Sequence, residues 1–193
     1  DSSLAMEGEE GLLLYTLDMD NDFSTGEDRE VYARLYDGNT WGKAISLTDN
    51  ALNDSAPKAV SIDGDWFITW LEDGKIVYKA GLEAETRTEE SPDNIQSNYQ
   101  ITAGKGERPL VALVYTQPGE DKALEMYSSF YDFDNEKWSG KIGLVTGDKY
   151  ANAISASFNG DGELNAAFTQ ADIITEAKPQ IIDGIEEFVE SES

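Results

Sequence analysis

Two stretches of this chain, roughly a hundred residues apart, carry the same landmarks in the same order. Leu13-Leu14-Tyr15-Thr16 returns as Leu113-Val114-Tyr115-Thr116, and Glu30-Val31-Tyr32-Ala33-Arg34-Leu35-Tyr36-Asp37 returns as Glu125-Met126-Tyr127-Ser128-Ser129-Phe130-Tyr131-Asp132. Trp41-Gly42-Lys43-Ala44-Ile45 reappears as Trp138-Ser139-Gly140-Lys141-Ile142, and Ser61-Ile62-Asp63-Gly64-Asp65 as Ser157-Phe158-Asn159-Gly160-Asp161. A unit that is built twice can bury its apolar face against a copy of itself or a neighbouring unit, which favours stacked or radial repeat architectures over a pair of β-sandwich domains.

Each long repeat divides again. Within the first, Val31, Ala33 and Leu35 alternate with Tyr32, Arg34 and Tyr36, a period of two that belongs to a strand. Asp63-Gly64 and Asp73-Gly74 stand between apolar runs, as tight hairpin turns require. Units of about 45–50 residues with four short antiparallel strands have the spacing of propeller blades. The reading is an all-β chain, a β-propeller or partial propeller of about four blade-like repeats. Residues 1–178 form the repeat domain, with blades near 10–55, 56–107, 108–153 and an incomplete fourth over 154–178. Leu82 to Ser97, polar and acid-rich around Ser91-Pro92-Asp93, reads as a long exposed loop. After Pro179, the residues Ile181, Ile182, Ile185, Phe188 and Val189 recur at steps of three and four, predicting a short amphipathic helix in a 179–193 tail.

The charge balance narrows the partners. Thirty-nine acids against 14 bases leave a formal net charge of −25. Such a surface repels phosphate backbones and anionic lipid headgroups, so nucleic acid and membrane surfaces are poor partners. It suits divalent cations, or neutral ligands such as carbohydrate held by stacking and hydrogen bonds; a plainer role for the acids is solubility. The chain has neither cysteine nor histidine. Disulfides, thiolate chemistry, Ser-His-Asp triads and His-bound zinc are thereby excluded. No apolar run is long enough for a membrane-spanning helix, and the opening Asp1-Ser2-Ser3-Leu4-Ala5-Met6 reads as the start of a piece of something longer.

The run Tyr15-Thr16-Leu17-Asp18-Met19-Asp20-Asn21-Asp22, then Glu30-Val31-Tyr32, Tyr36-Asp37-Gly38-Asn39-Thr40-Trp41, Leu47-Thr48 and Asp54-Ser55-Ala56-Pro57, resembles the blade repeats of large bacterial extracellular proteins. Those repeats are distantly similar to the Asp-box blades of sialidase-type propellers. The resemblance implies a propeller-like fold and an extracellular or cell-surface setting. It leaves open an adhesin, an accessory module of an enzyme, or a spacer.

The densest chemistry lies between the first Tyr and the second landmark. Asp18, Asp20 and Asp22 alternate, Thr25 and Asp28 follow, and Glu30 stands about a dozen residues after the first acid. Calcium takes six to eight hard oxygen ligands, and a loop with acids at this spacing can wrap them around one ion. Phe23 occupies the place of an EF-hand glycine and Glu30 falls one residue late, so the expectation is a calcium-stapled β-hairpin loop. The second copy shortens the loop to Gln117-Pro118-Gly119-Glu120-Asp121, which confines such a metal to the first repeat. Trp41, Trp66, Trp70 and Trp138 suit either a sugar-stacking platform or packing between blades, and the equivalence of Trp41 and Trp138 favours packing. A sialidase-like site needs clustered arginines, and Arg29, Arg34, Arg87 and Arg108 follow no recognisable arrangement. Carboxylate-based glycoside hydrolysis is the alternative activity. The expected role is a non-catalytic binding or scaffold module of a larger surface or secreted protein, one that needs further blades or self-association to close.

Overall fold

The computed structural model describes residues 1–20, 22, 28–88, 94–96, 98–106, 108–119, 123–147, 149–172, 175–182 and 185–192. The described residues are all-β. In chain order the strands are β1 (Ser2–Glu7), β2 (Glu10–Asp18), β3 (Arg29–Tyr36), β4 (Ile45–Ser46), β5 (Asp54–Ile62), β6 (Asp65–Glu72), β7 (Lys75–Ala80) and β8 (Arg87–Thr88). Then follow β9 (Gln100–Lys105), β10 (Pro109–Pro118), β11 (Leu124–Asp132), β12 (Lys137–Trp138), β13 (Ile142–Val145), β14 (Lys149–Phe158), β15 (Leu164–Asp172), β16 (Thr175–Ile182) and β17 (Ile185–Glu192).

The strands pair as antiparallel meanders in sequence order. Sheet one is β1-β2-β3-β4 and sheet two is β5-β6-β7-β8. Sheet three starts with β9-β10-β11, and both β12 and β13 pair with β11. The β14–β15 hairpin, here sheet four, is attached to β11 at a single parallel position, Leu124 opposite Tyr150.

Three cores separate these four sheets, and strand alternation decides which residue enters which. Leu12, Leu14, Val31 and Ala33 of sheet one meet Trp66, Ile68, Trp70 and Val77 of sheet two. Phe67, Leu71, Ile76 and Tyr78, on the other face of sheet two, meet Val111, Leu113, Tyr115, Tyr127, Tyr131 and Trp138 of sheet three. Val114, Met126 and Val145, on the far side of sheet three, meet Ala151 and Ile154 of sheet four. A strand in the middle of such a stack is covered on both sides, which is why Trp66 to Leu71 is an unbroken buried run. The first strands of the sheets also pack in series: β1 lies against β5, β5 against β9, and β9 against β14. At the last junction Gly104 lets β14 approach, since a Cβ there would stand 2.6 Å from that of Phe158.

The internal repeat is a repeat of structure. Tyr15 pairs with Tyr32 as Tyr115 pairs with Tyr127, and both ring pairs have centroids 5.9 Å apart. Trp41 bridges to Tyr36 as Trp138 pairs with Tyr131. Before each Trp an aspartate caps the turn: Asp37 Oδ1 accepts the N–H groups of Asn39 and Thr40, and Asp132 Oδ1 those of Asp134 and Asn135. The five-residue difference between the copies falls in one place, since ten residues join β2 to β3 and five join β10 to β11. A β-bulge is repeated too. Register slips after Ser55 and after Asn152, with Ala56 at φ 49° and Ala153 at φ 51°. Positive φ is strained for alanine. At the first bulge the buried Tyr99 hydroxyl donates to the Ala56 carbonyl at 2.8 Å, which holds the kink against sheet three.

Two expectations are corrected. The 179–193 segment holds no helix among its described residues: β16 and β17 form an antiparallel hairpin in which Ile182 faces Ile185. Ile181, Ile182, Ile185 and Val189 are β-branched and stiff at χ1, which favours a pleated surface, and a short apolar run fits either period. Asp183-Gly184, the same dipeptide that closes hairpins earlier in the chain, stands between the two strands in sequence. The Leu82 to Ser97 stretch is also more than an exposed loop. Arg87–Thr88 adds to β7 as β8, and Ile95 is buried in the core between sheets two and three. Residues 89–93 and 97 of that stretch lie outside the described residues.

Candidate metal centre

The β2–β3 hairpin delivers its acids to one point. Asp18 ends β2 opposite Arg29, the first residue of β3, so the strand pair itself sets the base of the loop. The Asp20 N–H donates to Asp28 Oδ2 at 2.8 Å, and the Asp22 N–H donates to Asp20 Oδ1 at 2.7 Å. Asp18, Asp20 and Asp28 each place one carboxylate oxygen within 4.8 Å of the other two. Oxygens that share one calcium at 2.3–2.6 Å are separated by no more than about twice that length, so the three fit a single ion. The Asp18 side chain is 7% exposed, with Arg29 Nε 3.8 Å from its Oδ2, and Asp28 Oδ1 is buried without a hydrogen-bond partner among the described residues. Three carboxylates held this close repel one another, and a cation relieves the repulsion. An open cleft of about 300 Å³, lined by Thr16, Asp18, Arg29, Asp54 and Ser55, leads to the Asp18 carboxylate.

Of the six residues expected to ligate calcium, the structure brings together Asp18, Asp20 and Asp28. Asp22 is exposed and joins the turn through its N–H. Thr25 lies outside the described residues. Glu30 is drawn elsewhere. With β3 beginning at Arg29, alternation turns position 30 to the face opposite Asp18 and Arg29. Buried to 5% exposure, its Oε1 accepts the Asn50 N–H at 2.8 Å.

Asn50 organises a second acidic group that the sequence does not announce. Its Nδ2 donates to Asp54 Oδ2 at 3.2 Å and to Glu72 Oε1 at 3.3 Å, so three carboxylates converge on one asparagine. Asp54 is fully buried, and burial pushes its carboxyl up to about 6, against hydrogen bonds from Thr48 and Asn50 and with reinforcement from the charges of Glu72 and Glu30. Glu72 is raised as well, first by burial and then by the neighbouring Asp73 charge. These acids come from β3, β5 and β6, across the junction of sheets one and two, and no one stretch of sequence brings all three together.

Three of the four tryptophans pack as expected, and Trp41, expected to pack like Trp138, does not. Trp66, Trp70 and Trp138 are buried, and Trp41 alone of the four is 40% exposed. The arginines stand apart: Arg29 near Asp18, Arg34 donating to the Gly42 carbonyl at 2.9 Å, Arg87 paired with Glu136 at 2.6 Å, and Arg108 paired with Asp134. No protein-family model matches this sequence, and the search of curated proteins found no match.

Proposed function

We propose that the chain is a partial β-propeller serving as a non-catalytic scaffold or binding module of a larger bacterial surface or secreted protein, with calcium closing the β2–β3 loop. The observation that carries the fold reading is the serial packing of β1, β5, β9 and β14, the first strand of each sheet. In a propeller the first strands gather round the axis and the blades stack face to face, which is how three cores separate four sheets. The β16–β17 hairpin forms a two-stranded sheet of its own. A scaffold role agrees with four arginines engaged singly by carboxylates or carbonyls rather than gathered for an acidic sugar. Carbohydrate or another protein is the class of ligand an acidic, aromatic-bearing surface accepts.

The absence of cysteine makes the fold reading easy to test, because introduced thiols are the only ones present. Ser61 Oγ donates to Glu7 Oε2 between β5 and β1, and Asn98 Nδ2 donates to Asn152 Oδ1 at 2.5 Å where sheet three meets sheet four. The double variants Glu7→Cys/Ser61→Cys and Asn98→Cys/Asn152→Cys should each form an intramolecular cross-link with a short bifunctional maleimide. A pair that stays open under native conditions while each single cysteine labels would break the serial arrangement.

Calcium is tested by thermal melts at fixed ionic strength. Extracellular modules bind calcium with Kd of roughly 10⁻⁴–10⁻³ M. A tenfold excess over Kd stabilises the native form by about 1.4 kcal/mol, since the gain is RT ln(1 + [L]/Kd). For a chain of this length that is a rise in Tm of about 3–6 °C. Magnesium should do less, because it demands tighter octahedral geometry. Asp20→Ala should lose most of the calcium increment and leave the calcium-free melt nearly unchanged. Equal shifts in both proteins would reduce the effect to screening of the −25 charge.

A further inference from the structure

The second copy of the repeat builds the same junction without the acids that Asn50 gathers. There Glu125 stands for Glu30, and its Oε1 accepts the Gly147 N–H at 2.9 Å, as Glu30 Oε1 accepts that of Asn50 at 2.8 Å. A glutamate that caps the strand connection is therefore common to both copies, and its surroundings are not. At the spacing that separates Trp41 from Trp138, Thr48, Asn50 and Asp54 become Val145, Gly147 and Ala151. Glu72, opposite Asp54, becomes Gln170, opposite Ala151. Ala151 is as fully buried as Asp54, so the fold accepts an apolar side chain at this position, and a buried acid there costs stability unless something pairs with it. The oxygens differ as well. Glu125 Oε2 accepts the Tyr127 hydroxyl, whereas Glu30 Oε2 and Asp54 Oδ1 are buried with no hydrogen-bond partner among the described residues. The Tyr32 hydroxyl, equivalent to that of Tyr127, turns to Met19 Sδ at 3.8 Å instead. Glu30 and Asp54 thus each give one oxygen to Asn50 and keep the other unpaired where water does not reach.

We infer that Glu30 and Asp54, brought together by Asn50, hold a second calcium ion, separate from that of the β2–β3 loop. The donors are hard oxygens in a chain without histidine or cysteine, which selects calcium or magnesium over zinc or copper. Two buried carboxylates repel each other, and a cation between their unpaired oxygens relieves the repulsion and satisfies both atoms. Among the described residues only Asp18, Asp20 and Asp28 bring three carboxylates within 4.8 Å of one another, so this site has two direct acids. Calcium completes such a shell with water and backbone carbonyls, whereas magnesium demands a tighter octahedron. Glu72 stands at one remove, with Lys75 opposite it on β7. The open cleft of about 300 Å³ that reaches Asp18 is lined by Asp54 as well, which gives the ion a way in. Two direct carboxylates against the loop's three make this the weaker site, by about tenfold. At ten times the loop's Kd it then supplies about a quarter of the whole calcium increment.

The test dialyses the whole chain against calcium at fixed ionic strength, as wild type, Asp20→Ala, Asp54→Asn and the double variant, and melts each at the same calcium concentrations. The double variant defines the diffuse excess of calcium held by the −25 charge. Above that excess, wild type should bind two ions per chain and each single variant one. Asp20→Ala should keep a small rise in Tm that saturates at about tenfold more calcium than the loop needs. Asp54→Asn should lack that late rise and keep the loop's. Glu125→Gln, at the matching position of the second copy, should leave calcium binding as in wild type. Should Asp54→Asn fail to fold, Glu30→Gln, which keeps Oε1 for the Asn50 N–H, makes the same comparison. An Asp20→Ala protein that binds no more calcium than the double variant overturns the second site. An Asp54→Asn protein that still binds two ions overturns it too. If Asp20→Ala binds calcium as wild type does while Asp54→Asn binds none, the loop reading falls and the site at Glu30 and Asp54 stands.

Discussion

Phe67→Ala should remove about 3–5 kcal/mol of stability, the range for truncating a buried phenylalanine. Phe67 has no exposed surface and sits where sheets two and three meet. Its ring stacks on Tyr78 at 5.9 Å and 4°, and meets Tyr131 edge-on at 4.8 Å and Trp138 at 5.7 Å. Phe133 approaches the same ring at 6.2 Å. Truncation loses the transfer energy of the ring and leaves a cavity that four rigid rings cannot collapse to fill. At about 2–4 °C per kcal/mol for a chain of this size, Tm should fall by roughly 10 °C. Phe67→Leu, which keeps most of the volume, should cost well under half as much. Urea unfolding of the three proteins gives the comparison. A loss under about 1 kcal/mol in Phe67→Ala would mean that the two sheets are not held together through this ring.

How far the sequence foretells this structure depends on the distance over which each feature is decided. Val31, Ala33 and Leu35 announce β3 because one strand and its neighbours settle the alternation, and Asp63-Gly64 announces its hairpin because two residues settle the turn. The equivalence of Tyr15 with Tyr115 and of Trp41 with Trp138 is legible because the same local contacts recur in both copies. The period of a repeat is visible in sequence, but its phase is not. β9 looks as able to follow β8 as to precede β10, and it hydrogen-bonds to β10. Ile95 reads as part of a polar loop because the core that receives it is built from sheets two and three. Glu30 fits a calcium loop when positions are counted along the chain, yet once β3 starts at Arg29 it points the other way. The C-terminal isoleucines carry both periods, and the antiparallel pairing of the two segments, with Ile182 opposite Ile185, decides for strands.

Asp54, buried at the junction of sheets one and two, should make stability fall as pH rises. Its carboxyl is pushed from an ordinary 3.8 up to about 6 in the folded protein, first by burial and then by the charges of Glu72 and Glu30. Below pH 3.8 folded and unfolded chains both hold the proton, so the group costs nothing. Between about 4 and 6 the unfolded chain releases it while the folded chain retains it. The unfolded state then binds fewer protons, and stability declines with pH. Above about 6 the folded carboxyl is ionised in a site that disfavours it, and the loss is complete. Two pKa units at about 1.4 kcal/mol each put the loss on the order of 2–3 kcal/mol. Asn in place of Asp54 keeps an oxygen for Asn50 Nδ2 and carries no charge. Asp54→Asn should therefore match wild type near pH 4 and exceed it by on the order of 2–3 kcal/mol at pH 7. Both proteins should be unfolded by urea across pH 4 to 8 in chelator, so that no cation neutralises the acids. The difference between the two curves cancels the shared repulsion of the other carboxylates. A difference that is flat with pH would mean that Asp54 ionises in the fold as freely as it does in water, and that the three acids around Asn50 are no more than a solvated cluster.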